Sequence, residues 1–346
     1  MNAVARAYGE SPIVPRGPRF APLLARVRAG IRRRSRPPST SPCCSGTGST
    51  AIAAVLGSCL RPTERLLVIR NGAYGDRIFE YASRLGQPVV DMELPYGQRP
   101  DLGRVDALLA SNEVDAVAVV YGGTSTCTLN PLAEIGRIAK ARGKKLLVDG
   151  VSALFVEPME LAAWGISAVM GSCNKGLHSH PNLTMALVER SLMADMADIP
   201  QRARASSCTR SGKRRPAAAT LHHRSDRPAH GRGRASRSSP RRAASRGATR
   251  FIRRAQQAPR GYSASGSRSR WENVPLGSIG TALKIPSSTT YDAMADRLAT
   301  EEFEGHVFEI YSAQGKLSKQ LFRIFHMGDY ELEVYDVFLK ALARVL

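Results

Sequence analysis

The chain has 346 residues, 43% of them hydrophobic, which is enough for a large core and for two domains. Its formal net charge of +21 is local: Gln201–Arg270 holds twenty Lys or Arg against one acid, Asp226. The remainder is near neutral, as in an ordinary cytoplasmic enzyme. No apolar run approaches the roughly eighteen residues a membrane-spanning helix needs, and the first residues lack a signal-peptide core. The Arg-rich, acid-poor region up to Arg61 resembles a transit peptide only faintly. Six cysteines without a CxxC pair read as reduced thiols, not as a disulfide framework or a zinc site.

Residues 1–44 form an irregular basic segment. Within it Phe20–Ile31 spaces Leu23, Leu24, Val27 and Ile31 as one face of a helix, which RRRSRPPSTSPCC then cuts off. At Ser45 a Gly/Ser/Thr-rich turn opens into a helix of small and apolar residues. It suits a phosphate cradle and a plain capped helix start equally well. Leu66–Ile69 reads as a buried strand, followed by NGAYGDR and a helical pattern to Leu85. Tyr74, between glycines at that strand's end, could lie on a planar ligand or simply pack at a loop. Pro88–Asp91 and Asp115–Tyr121 are further strands, and Leu102–Leu109 is a helical stripe. Asn130-Pro131 opens a helix with Asn as its cap and Pro in its first turn. Leu146–Val148 ends at Asp149, and Ala168–Met170 leads to Lys175.

From Ala51 to Val188 strands and helices thus alternate, at connection lengths that favour a mainly parallel α/β sheet. Ligands on such sheets sit beyond the carboxyl ends of the strands, where Tyr74, Thr126, Asp149 and Lys175 all fall. An amine and an acid at neighbouring strand ends suit pyridoxal phosphate. The amine can bond the aldehyde, and the carboxylate can keep the pyridine nitrogen protonated.

Gln201–Arg270 breaks the pattern, with few apolar residues and no sustained period. It cannot bury enough area to offset its chain entropy and is expected to be disordered in isolation. It reads as a solvated insertion, as an arginine-rich nucleic-acid-binding arm, or as a stretch whose coding frame has slipped. The abrupt start and stop of the Arg/Ser/Ala/Pro monotony favours the third. Residues 271–346 recover as a small α+β domain. A helix is capped by Thr290, strands are expected at Val307–Tyr311 and Leu321–Phe325, and a last helix buries Val334, Phe338, Ala341 and Val345.

SGTGSTAIAAVLGS, NGAYGDR, TSTCTLNPLAEIG, VDGVSA, GSCNKGLHSHP and GKLSKQLFRIFHMGD resemble, in order and spacing, the class V aminotransferases of PLP fold type I. Within that class NGAYGDR, the DIP at 198–200 and the C-terminal motif resemble the 2-aminoethylphosphonate–pyruvate transaminases. The likeness covers residues 45–200, the expected PLP-binding large domain, and 271–346.

The resemblance implies an aspartate aminotransferase-like large domain, a small C-terminal domain, pyridoxal 5'-phosphate as cofactor and a homodimer. By position Lys175 is the Schiff-base lysine and Asp149 the pyridinium partner. Val151 and Tyr74 sandwich the cofactor ring; Thr47, Gly48, Ser49 and Thr50 form the phosphate turn; Thr126 lies near the ring oxygen. Arg323 receives the substrate's carboxylate or another anionic group. The implied reaction gives phosphonoacetaldehyde and alanine from 2-aminoethylphosphonate and pyruvate, a step of phosphonate catabolism. An alanine- or serine–glyoxylate type of transaminase, or an inactive remnant, are the other readings; a nucleic-acid-binding protein ranks below them. The chain departs from the motif at Gly123, where an acid is usual, at Cys127, where Gly is usual, and at the Ser179–Asn182 turn.

Overall fold

The computed structural model describes residues 18–35, 39–40, 43–111, 113–200, 202, 279–325 and 332–346. Its main body is an eight-stranded sheet. Five strands are parallel and lie in the order β7-β6-β5-β3-β4: β3 (Leu66–Arg70), β4 (Val89–Glu93), β5 (Ala116–Val120), β6 (Lys145–Asp149) and β7 (Ala168–Ser172). β5 and β7 are buried along their whole length and β6 at all but its first residue. A strand covered on both faces selects continuous apolar sequence, which is why these segments are legible as unbroken runs.

The far edge departs from the parallel expectation. β8 (Leu183–Glu189) pairs antiparallel with β7. β1 (Ser39–Thr40) and β2 (Cys43–Ser45) both pair antiparallel with β8. The run RRRSRPPSTSPCC therefore contributes two edge strands, and the helix before it, Phe20–Ser35, continues through Arg32–Arg34 instead of stopping at Ile31. Two apolar clusters fill the faces of the sheet. One is built on Leu67, Val117, Val148 and Val169; the other sets the helix Gly48–Cys59 against Leu66, Val68, Leu147 and Met170.

A second, three-stranded antiparallel sheet has the order β10-β11-β9, from β9 (Gly280–Lys284), β10 (Tyr311–Ser312) and β11 (Leu321–Phe325). The helix Tyr291–Thr300 starts with the Thr290 hydroxyl accepting from the Ala293 N–H at 3.2 Å, and it packs with the helix Leu332–Val345 around Phe322 and Phe338. The strand expected at Val307–Tyr311 shrinks to Tyr311–Ser312. Val307 is 60% exposed, and the Phe308 N–H is taken by the Leu298 carbonyl at 2.8 Å, away from any ladder. Cys127 joins Ala282, Ala313, Leu317 and Leu321 in the apolar seam between the two sheets.

Most of the basic stretch 201–270 lies outside the described residues, as do Trp271 and the His326–Asp329 part of the C-terminal motif. Arg202 is an exception. It donates to the carbonyls of Leu60 (2.9 Å) and Leu56 (3.4 Å) and to Gln87 Oε1 (2.6 Å), satisfying carbonyls at the end of the helix Gly48–Cys59. The large body thus extends past residue 200.

Candidate active site

Chain order and strand order together locate a crevice. The chain runs from β3 outward to β4, then crosses to the other side of β3 to lay down β5, β6 and β7. The loops after β3 and β5 therefore leave in opposite directions, and a gap opens at the carboxyl edge between them. Asn71, Gly72, Tyr74, Gly123, Ser125 and Thr126 line it. A larger hollow opens at the opposite edge, between Lys144, Ser167 and Glu189, away from these residues.

A reciprocal pair of asparagines holds the floor of the crevice. Asn71 Nδ2 donates to Asn130 Oδ1 at 2.7 Å, and Asn130 Nδ2 donates to the Val120 carbonyl at 2.9 Å. This overturns the expected helix cap. Asn130 makes no cap bond, and Pro131 stands at the N-cap of the helix Leu132–Ala141, because the Asn130 side chain ties the end of β5 to the end of β3. The role of this pair was missed from sequence, since it depends on two loops far apart in the chain.

Asp149 ends β6, is 2% exposed, and accepts from the Val151 N–H through Oδ1 at 3.0 Å. Among the described residues its second oxygen has no hydrogen-bond donor. Burial pushes its carboxyl up to about 6, against the opposing pulls of the Val151 N–H and the Arg77 charge. Val151 lies against Gly48: a Cβ there would fall 2.9 Å from Val151 Cγ2, so the glycine permits the close approach. Thr47, Gly48, Ser49 and Thr50 form the N-terminus of the helix Gly48–Cys59. Thr47 makes no side-chain cap bond and its carbonyl takes the Thr50 N–H at 2.9 Å, so among the described residues the Gly48 and Ser49 N–H groups have no acceptor. Lys175 lies in the turn after β7, the parallel neighbour of β6, and is half-buried. Asp149 and Lys175 therefore leave the same edge from adjacent strands.

Tyr74 lies in the first turn of the helix Ala73–Arg84, with the Arg77 guanidinium 5.0 Å from its ring centre. Arg77 Nη1 also reaches Ser49 Oγ at 3.4 Å. Arg77 was not singled out from sequence, although it closes the NGAYGDR motif, one helical turn after Tyr74.

Thr126 is buried and shares a hydrogen bond with the Thr128 hydroxyl at 2.8 Å. Cys127 beside it adopts φ +57°, in the left-handed region that glycine occupies without penalty, which gives a physical reason for Gly at this motif position. Arg323 reaches the same loop from β11. Its Nη1 donates to the Thr124 carbonyl at 2.6 Å, while Nε and Nη2 donate to the Ser312 carbonyl at 2.9 and 2.6 Å. An arginine has five N–H donors, so one remains on each terminal nitrogen.

The sheet, its crevice and the acid–amine edge define the aminotransferase fold of the PLP-dependent fold type I enzymes. The alanine–glyoxylate aminotransferase of Nostoc sp. shares it with a TM-score of 0.81 at 21% identity, over 99% of this chain and 91% of that one. The ureidoglycine–glyoxylate aminotransferase of Bacillus subtilis does so at 0.82 and 19%, over 99% and 89%.

Residues 43–204 match the family model Aminotransferase class-V. A 2-aminoethylphosphonate–pyruvate transaminase of Salmonella paratyphi B is 35% identical over 156 residues, 45% of this chain and 42% of that protein. Its counterpart in Vibrio cholerae serotype O1 is 35% identical over 153 residues, 44% and 42%. The match thus spans under half the length of these curated relatives.

The class-V match over residues 43–204 and the aminotransferase fold imply pyridoxal phosphate as the cofactor. The residues present fit it: a buried carboxylate with one open oxygen, an amine in the turn after the next strand, and a helix start with open N–H groups at Gly48 and Ser49. No helix among the described residues is long and apolar enough to cross a membrane.

Proposed function

We propose that the protein transfers the amino group of 2-aminoethylphosphonate to pyruvate. Residues Thr47–Thr50 would hold the phosphate of pyridoxal phosphate, Val151 and Tyr74 the faces of its ring, and Thr126 the edge beside its ring oxygen. Bound there, the cofactor supplies an aldehyde that bonds amines and a ring that takes up an electron pair. Lys175 Nζ takes the proton from the substrate carbon bearing nitrogen and returns it as an acid. The Asp149 carboxylate keeps a proton on the ring nitrogen, a task for which an open oxygen at a buried strand end is suited. The two remaining N–H groups of Arg323 form a fork for the carboxylate of pyruvate or the phosphonate of the donor. Net transfer yields phosphonoacetaldehyde and alanine.

The observation that carries this reading is the buried, half-open Asp149 on the strand beside the Lys175 turn. The names of the 35%-identical relatives supply the donor. The family resemblance supports a homodimer. The buried free thiols of Cys59 and Cys127 agree with a cytoplasmic setting.

The test mixes the full chain with pyridoxal phosphate. A visible absorbance band should form with the native protein and not with Lys175→Ala; an unchanged band in the variant removes Lys175 from the chemistry. Turnover with 2-aminoethylphosphonate and pyruvate should exceed turnover with alanine or serine and glyoxylate. The reverse order would reassign the donor.

A further inference from the structure

Arg77 is half-buried on the helix Ala73–Arg84, and among the described residues no carboxylate lies within ion-pair distance of it. Its sequence neighbour Asp76 is already engaged, by Arg70 Nε at 3.0 Å and by the Tyr96 hydroxyl. A guanidinium without an acid partner, partly withdrawn from water, is costly unless its surroundings use the charge. Three surroundings do. Its Nη1 reaches the Ser49 hydroxyl at 3.4 Å, its Cζ lies 5.0 Å from the Tyr74 ring centre, and the turn it holds adjoins Asp149, because Gly48 beside Ser49 packs on Val151, whose N–H donates to the Asp149 carboxylate. Among the described residues, burial raises the Asp149 carboxyl, while the Val151 N–H from its own loop and the Arg77 charge from the helix Ala73–Arg84 pull it down.

We infer that Arg77 is a positioning residue of this site, fixing Ser49 and Tyr74 and supplying the positive charge shared by the phosphate turn and the Asp149 carboxylate. The inference rests on the proposed cofactor reading for Ser49 and Tyr74. Its link to Asp149 stands on the ligand-free protein alone.

Two measurements test it, both on the full chain with Arg77→Gln and the charge-retaining Arg77→Lys. The first titrates pyridoxal phosphate and pyridoxal, which lacks the phosphate. Arg77→Gln should weaken pyridoxal phosphate about tenfold and pyridoxal by much less, with Arg77→Lys in between. Equal weakening of both ligands would overturn the role at the phosphate turn.

The second follows unfolding of the ligand-free protein against pH for Arg77→Gln, Asp149→Asn and the double variant. Removing the Arg77 charge should enlarge the loss of stability at neutral pH only while Asp149 is present, so the two substitutions should be non-additive. Strict additivity would overturn the link. If the native protein binds neither ligand, the cofactor reading and the role at the phosphate turn fail together, and this cycle still decides the link between Arg77 and Asp149.

Discussion

Replacing Asp149 by asparagine should make the ligand-free protein more resistant to unfolding at neutral pH, although it removes the acid on which the proposed chemistry depends. Burial raises this carboxyl from its ordinary 3.8 to about 6 in the folded protein. The native state therefore binds the proton more tightly than the unfolded chain. The stabilisation is fully present below about pH 4 and is lost as pH rises through about 6. A shift of about two units at about 1.4 kcal/mol each corresponds to roughly 3 kcal/mol. Asparagine keeps an oxygen for the Val151 N–H but carries no charge to desolvate. Its buried amide adds an offset that does not vary with pH. The informative quantity is therefore the slope: between about pH 4 and pH 7 the native protein should lose roughly 3 kcal/mol relative to Asp149→Asn. At roughly 2 °C per kcal/mol for a chain of this size, their midpoints should diverge by about 6 °C in thermal scans. Parallel pH profiles for the two proteins would refute the premise that a desolvated carboxyl ends β6.

Cys127→Gly should leave stability within about 1 kcal/mol, because relief of the left-handed conformation offsets the lost burial of the thiol. Cys127→Val, bulkier and β-branched at φ +57°, should cost more than about 2 kcal/mol in urea unfolding, and equal effects of the two would argue against strain there. Gly136→Ala should destabilise by about 3 kcal/mol or more, since its Cβ would sit 1.9 Å from the Trp164 carbonyl oxygen; an unshifted melting curve would contradict that packing. Arg323→Lys keeps the charge but loses the fork, so KM for pyruvate should rise at least about tenfold while the absorbance band persists. A KM within twofold of the native value would remove Arg323 from substrate binding.

The amino-acid sequence by itself determined the parallel strands and what stands at their ends. Doubly covered strands must be apolar throughout, so Ala116–Val120, Leu146–Val148 and Ala168–Met170 announce themselves, and Asp149 and Lys175 stand out as polar groups where those runs stop. The antiparallel edge was harder to read. β1 and β2 are two and three residues long, and their pairing to β8 is a property of the assembled sheet, not of local composition.

Tertiary structure alone decided how the side chains are used. Asn130 could cap its own helix, yet it bonds Val120 and Asn71, because crossing from β4 to β5 brings the loop after β3 within its reach. Arg323 contacts Thr124 across 199 positions of chain, and Arg77 meets Ser49 across 28. A short polar motif shows which chemistry is available. Which partner each group meets depends on loop closures that only the folded sheet makes, and local spacing carries no record of them.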